Sequence, residues 1–197
     1  MTEREELPTD VVVSRITTLN DGLRRFWTEA EGWAPIEAAQ LLSKSRLDWQ
    51  ISLSKCLKIW IAGSQSEEKD GRLILAWSNL GSLVEGTMKL FLSVWYTSYK
   101  NDVEAIKKKG DLIDPDSLQL EQIRQFFRNR IWRKEDEDWD SWILKIQQRR
   151  NAIHAYKNRD IGTFNEFFID VRRYLEFLRY INSRLPYPDS MYIPQEV

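Results

Sequence analysis

The chain has one histidine and one cysteine in 197 residues. A single cysteine, Cys56, excludes an intramolecular disulfide and argues against a cysteine-built zinc site. Charge of one sign is also missing. Twenty-nine Lys and Arg against thirty Asp and Glu leave a formal net charge of -1, so the molecule as a whole is no polycation that coats nucleic acid. The longest apolar runs, such as Leu90-Phe91-Leu92-Ser93-Val94-Trp95-Tyr96, fall far short of the roughly 20 residues that cross a bilayer. Residues 1–10 are acidic and polar, unlike a signal peptide. A cytoplasmic, soluble protein with no membrane partner is the expectation. No strand-like alternation of useful length is present, and there is no internal repeat or low-complexity segment. The acidic run Glu135-Asp136-Glu137-Asp138 lacks the glycine and terminal glutamate of a calcium loop. Its charge suits a helix start, and no metal or cofactor is expected.

What is present is an apolar content of 42% with nine Trp, seven Tyr and eight Phe, enough to bury a core rich in aromatic contacts. The length suits a single helical domain over residues 1–197. Within it we expect long N-terminal helices (1–100), motif-bearing helices (117–185) and an extended tail (186–197). Three- and four-residue apolar steps predict helices over about 9–30, 35–62, 72–100, 118–132, 138–157 and from 163 to the stop at Leu185-Pro186-Tyr187-Pro188. Ser43-Lys44-Ser45 is a candidate break in the second. Gly81 and Gly86 in the third either admit a close neighbour or only weaken the helix. Residues 101–109 read as a polar helical continuation ended by Gly110, with Lys107-Lys108-Lys109 complementing the helix dipole. Thr163 and Glu166 form a T-x-x-E capping box. The fold class is all-α, a bundle of five to six helices.

Charge is uneven along this frame. Residues 117–184 carry fourteen Lys and Arg against ten Asp and Glu. That half also holds Arg149-Arg150-Asn151-Ala152-Ile153-His154-Ala155-Tyr156, with the sole histidine. An imidazole exchanges a proton near neutral pH, and a guanidinium grips phosphate with a fixed charge. On a helix, Trp139, Trp142, Ile143, Ile146, Arg150 and Ile153 share one side. Arg150 and His154 are then neighbours, and Arg149 and Tyr156 return to nearly one face. Arg149 and His154 diverge by about 140° on an ideal helix. They serve one phosphate only if the helix ends between them or a second copy faces the first. The plain alternative is a helix C-terminus dressed with basic side chains.

Arg149-x4-His154-x-Tyr156 resembles the R-x4-H-x-Y motif of HEPN-domain ribonuclease toxins, those paired with minimal nucleotidyltransferase antitoxins. The resemblance covers about residues 139–185. Arg150 stands where that family often has a small polar residue, commonly Asn, and Asn151 follows one place later. Which arginine is the motif arginine therefore stays open. The resemblance implies a HEPN-like bundle, homodimeric, that cleaves RNA without metal by attack of a ribose 2′-hydroxyl on its own phosphate. His154 is then the general acid or base, Arg149 and Arg150 hold the phosphate, and Asn151 orients the imidazole or bonds ribose. Tyr156 bonds phosphate, and in such toxins it is also where the antitoxin attaches AMP. Lys157, Arg159, Arg172 and Arg173 extend a basic rim along RNA, or are ordinary solvated surface. The tail residues Tyr187 and Tyr192 are freer, with nothing to tie them to RNA. The setting implied is a toxin–antitoxin or phage-defence system, with a nucleotidyltransferase-type antitoxin or another defence protein as partner. A non-catalytic HEPN-like nucleotide- or partner-binding module is the alternative, and a purely structural helical subunit a third reading.

Overall fold

Apolar stripes at helical spacing shape nearly the whole chain. The structure, a computed structural model, describes residues 7–62, 67–133 and 136–197, and of Glu137 the backbone only. The start of the acidic N-terminus, part of the loop expected after residue 62 and part of the 135–138 run lie outside the described residues.

Among the described residues the helices are α1 (Thr9–Trp27), α2 (Ile36–Lys44), α3 (Leu47–Ile61), α4 (Lys69–Val94), α5 (Tyr96–Lys100), α6 (Leu120–Phe126), α7 (Glu137–Arg150) and α8 (Phe164–Asn182). The all-α bundle is as expected, and the helix count is higher because two long helices are broken. Ser45 ends α2, where its backbone N–H and its hydroxyl both donate to the Leu42 carbonyl. Trp95 separates α4 from α5, and its indole N–H is tied to the Arg184 carbonyl at 3.2 Å. No described helix is long and apolar enough to cross a membrane.

Three other boundaries correct the sequence reading. Residues 107–112 are not a helix end but a small hairpin, β1 (Lys107–Lys108) against β2 (Asp111–Leu112). Lys109 and Gly110 both take positive φ, 54° and 96°, which gives the tight turn whose twist fits paired strands. Two-residue strands carry no readable period. The expected 118–132 helix starts at Leu120, behind a Gln119–Gln122 capping box, and gives way to a π-helical turn at Phe127–Ile131. The expected 138–157 helix stops at Arg150, and a 3₁₀ turn, Asn151–His154, replaces its last part.

α4 lies at the centre and packs against α2, α3, α6, α7 and α8. Gly81 and Gly86 sit on it where a β-carbon would collide with Arg150 and Gln50, so they permit close approach. Buried apolar side chains from α1 to α8 join in one cluster. The tail is tied to the bundle. Pro194 packs on Gly22, and Glu196 pairs with Arg15 and Arg179. Tyr187 is wedged against Phe26 and Trp27.

A polar network crosses this core. The fully buried Tyr174 hydroxyl meets Thr87 Oγ1 at 3.0 Å and accepts from Gln50 Nε2 at 3.3 Å and Asn20 Nδ2 at 3.4 Å. Asn20 and Gln50 keep second partners, Ser54 Oγ and the Leu83 carbonyl. Tyr174→Phe therefore removes one shared hydroxyl without stranding its neighbours. The expected loss is about 1–2 kcal/mol, read as a lower urea midpoint with an unchanged slope.

Candidate functional site

The basic stretch gains its geometry from the end of α7. Its core face runs through Trp142, Ile143 and Ile146 and then into Arg149, only 5% exposed. The stripe was expected to continue into Arg150 and Ile153. It turns to Arg149 instead, and Ile153 is exposed because the α-helix has already ended. Ala155 follows the 3₁₀ turn in the left-handed region, with φ of 50°, and donates its backbone N–H to the Ala152 carbonyl. The chain thus swings away after His154, and Tyr156 no longer shares a helix face with Arg149.

Arg149 is held from every side. Its Nη2 donates to Glu166 Oε1 at 2.6 Å and lies 3.8 Å from Asp160 Oδ2. Its guanidinium carbon sits 4.7 Å above the Trp77 ring. Gly162 also lies close against it: a β-carbon there would fall 2.5 Å from that carbon, and φ is +62°. Nη1 is buried with no hydrogen-bond partner. Trp77 also donates its indole N–H to the Ile161 carbonyl at 2.7 Å, so one side chain stacks on the arginine and anchors the segment covering it.

Glu166 belongs to two structures at once. Its Oε2 accepts from the Thr163 backbone N–H at 2.8 Å, and Thr163 Oγ1 accepts from the Glu166 N–H at 3.2 Å. The expected capping box of α8 is present, and the carboxylate's other oxygen reaches Arg149. Arg150 goes elsewhere, to Glu85 Oε2 on α4 at 2.5 Å, and Lys89 shares that carboxylate at 2.8 Å. The two arginines therefore have separate carboxylate partners and do not converge.

His154, Tyr156 and Lys157 are exposed, Tyr156 completely; Asn151 and Arg159 are half-buried. Arg172 and Arg173 do not belong to an exposed rim. Arg172 donates to the Leu7 and Phe168 carbonyls. Arg173 lies over the Trp139 ring and pairs with Asp138. Trp139 and Trp142 both pack against Phe177.

Arg149 holds the Glu166 carboxyl below its usual range against the opposing effect of burial, and Thr163 adds to the lowering. At Glu85 burial pushes upward, but the bonds from Lys89 and Arg150 outweigh it and the net direction is down. Carboxylates lowered in the folded state stabilise fully above the unfolded value of about 4.3 and lose that contribution as pH falls through the folded value. Urea unfolding followed from about pH 6 to about pH 3 should show falling stability, with a shallower fall in Glu166→Gln/Glu85→Gln. An equal slope in the double variant would mean these pairs carry none of the acid sensitivity.

Sequence reasoning reached both arginines and the histidine but not Trp77, Glu85, Asp160 or Gly162. Only Glu166 left a signal, through the capping box. Comparison of the chain with protein-family models, with curated proteins and with solved structures gives no match.

Proposed function

We propose that the chain is a metal-independent endoribonuclease of the HEPN type, working as a homodimer in a toxin–antitoxin or phage-defence setting. The observation that supports this reading is the exposed His154 in the turn that ends α7, four residues after Arg150; because Arg149 stays buried on the other side of that turn, one cleft gathers both side chains only from two facing copies. The left-handed Ala155 between His154 and Tyr156 adds support. A non-glycine residue there costs about 1 kcal/mol, and such strain gathers at functional turns.

In this mechanism the exposed imidazole of His154 takes the proton from a ribose 2′-hydroxyl. The 2′-oxygen forms a bond to the adjacent phosphorus, the bond from phosphorus to the 5′-oxygen of the next nucleotide breaks, and that oxygen takes up the proton that His154 removed. The products are a 2′,3′-cyclic phosphate and a 5′-hydroxyl. Arg149 and Arg150 do not converge within one copy, so they neutralise charge on the phosphoryl oxygens only across a cleft shared by two copies, each after loosening its carboxylate partner. Asn151 and Tyr156 bond ribose or phosphate, and Lys157 and Arg159 guide the RNA backbone. A nucleotidyltransferase-type antitoxin would find Tyr156 fully accessible.

One observation favours a second reading, a non-catalytic HEPN-like module. Both arginines are already engaged by carboxylates, as in a site that binds a partner without turning over RNA. Incubation with total RNA in EDTA separates the two. Fragments ending in 2′,3′-cyclic phosphate are expected for the enzyme, and intact RNA bound to the protein for the module.

A further inference from the structure

Arg149 has the features of an anion site with its occupant already in place. Arg149 is 5% exposed, yet one of its guanidinium nitrogens, Nη1, is buried and has no partner. A buried guanidinium has five N–H donors to satisfy, and a planar pair of oxygens suits its fork best. Here Glu166 supplies one oxygen at 2.6 Å, and Asp160 stands farther off at 3.8 Å. The rest of the face is covered by the backbone at Gly162 rather than by a polar group. The cover is a short segment, residues 160–163. Asp160 Oδ1 accepts the Gly162 N–H at 2.8 Å and shapes it, and Trp77 pins it at the Ile161 carbonyl. Its two carboxylates are the more exposed partners: Asp160 is 85% and Glu166 44% exposed at the side chain, against 6% for Arg149.

We propose that residues 160–163 with Glu166 form an occluding strap, and that the Glu166 carboxylate and an RNA phosphodiester compete for the Arg149 guanidinium. Identifying the competing anion as RNA rests on the ribonuclease reading above. In the closed state the strap fills the phosphate position, and binding requires Glu166 to release Nη2. Apparent affinity is then the intrinsic affinity reduced by the open fraction. Glu166 is well suited to this exchange. Its Oε2 can keep the α8 capping box while Oε1 lets go of the arginine, so the strap opens without unwinding the helix.

The test uses the full chain and a fluorescein-labelled single-stranded RNA with 2′-O-methyl riboses, which cannot be cleaved by 2′-attack. Glu166→Gln keeps a side-chain oxygen for the Thr163 N–H and removes the negative charge from Arg149. Asp160→Asn likewise keeps an acceptor for Gly162. Each is expected to tighten RNA binding by anisotropy, the double variant by about tenfold, within the range of ordinary coupling between competing ligands. Adding Arg149→Met, which retains an apolar stem over Trp77, should abolish the gain. Unchanged or weaker binding by folded Glu166→Gln and Asp160→Asn overturns the strap. So does a gain that persists without Arg149, because it would then be bulk charge. Asp160→Asn decides alone if Glu166→Gln fails to fold. Wild-type cleavage of unmodified RNA is scored separately. Tighter binding in a protein that never cleaves keeps the strap and rejects the enzyme; cleavage without tighter binding does the reverse.

Discussion

Trp77→Ala is expected to lower stability by about 3–5 kcal/mol, a large share of the roughly 5–15 kcal/mol that holds a domain folded. The residue is fully buried on α4 and makes three different contacts. Its ring stands edge-on to Phe167 at 5.1 Å and 88°, the arrangement aromatic quadrupoles favour. Its face carries the Arg149 guanidinium. Its indole N–H satisfies the Ile161 carbonyl. Alanine leaves a cavity, removes the cation–π contact and takes away that carbonyl's donor. Trp77→Phe separates the contributions, since it keeps most of the volume and loses the N–H. It should lose markedly less stability, and hydrogen exchange should rise chiefly in residues 160–163. A Trp77→Ala protein within about 1 kcal/mol of the wild type would mean that this junction is not the anchor described here.

The legible parts of the fold were those set by local chemistry. The stripe of α1 follows from Val12, Ile16, Leu19 and Leu23, all buried. Thr163 and Glu166 announced the start of α8 because a capping box is a four-residue device. The end of α7 was not legible. No glycine or proline stands between Arg150 and Gly162, and the left-handed turn residue is Ala155, which sequence rules do not flag. The pinning of this turn comes from α4, whose Gly81 admits Arg150 and whose Glu85 pairs with it, 65 positions earlier in the chain. For the same reason the pattern of motif residues could be read, but not which arginine is buried. That choice was made by Trp77 and Glu166, on two different helices.

His154→Ala carries the second large expectation, a loss of about 10²–10⁴ in cleavage rate, the usual contribution of a positioned acid or base. His154 is exposed at the end of a 3₁₀ turn, so the substitution removes little buried surface and should leave thermal unfolding nearly unchanged. That separation of activity from stability is what distinguishes it from Arg149. Replacing the buried arginine breaks the tie to Glu166 and disturbs the strap, so loss of activity there would mix chemistry with structure. Arg150→Ala should be intermediate, since it frees Glu85, which still has Lys89 as a partner.

The most direct measurement is the rate of RNA cleavage in EDTA by wild-type protein and by His154→Ala, purified side by side and matched in melting temperature. The account predicts cleavage by the wild type, with 2′,3′-cyclic phosphate ends, and none detectable in the variant. Equal cleavage by both proteins, or no cleavage by the wild type of any RNA tried, would contradict it.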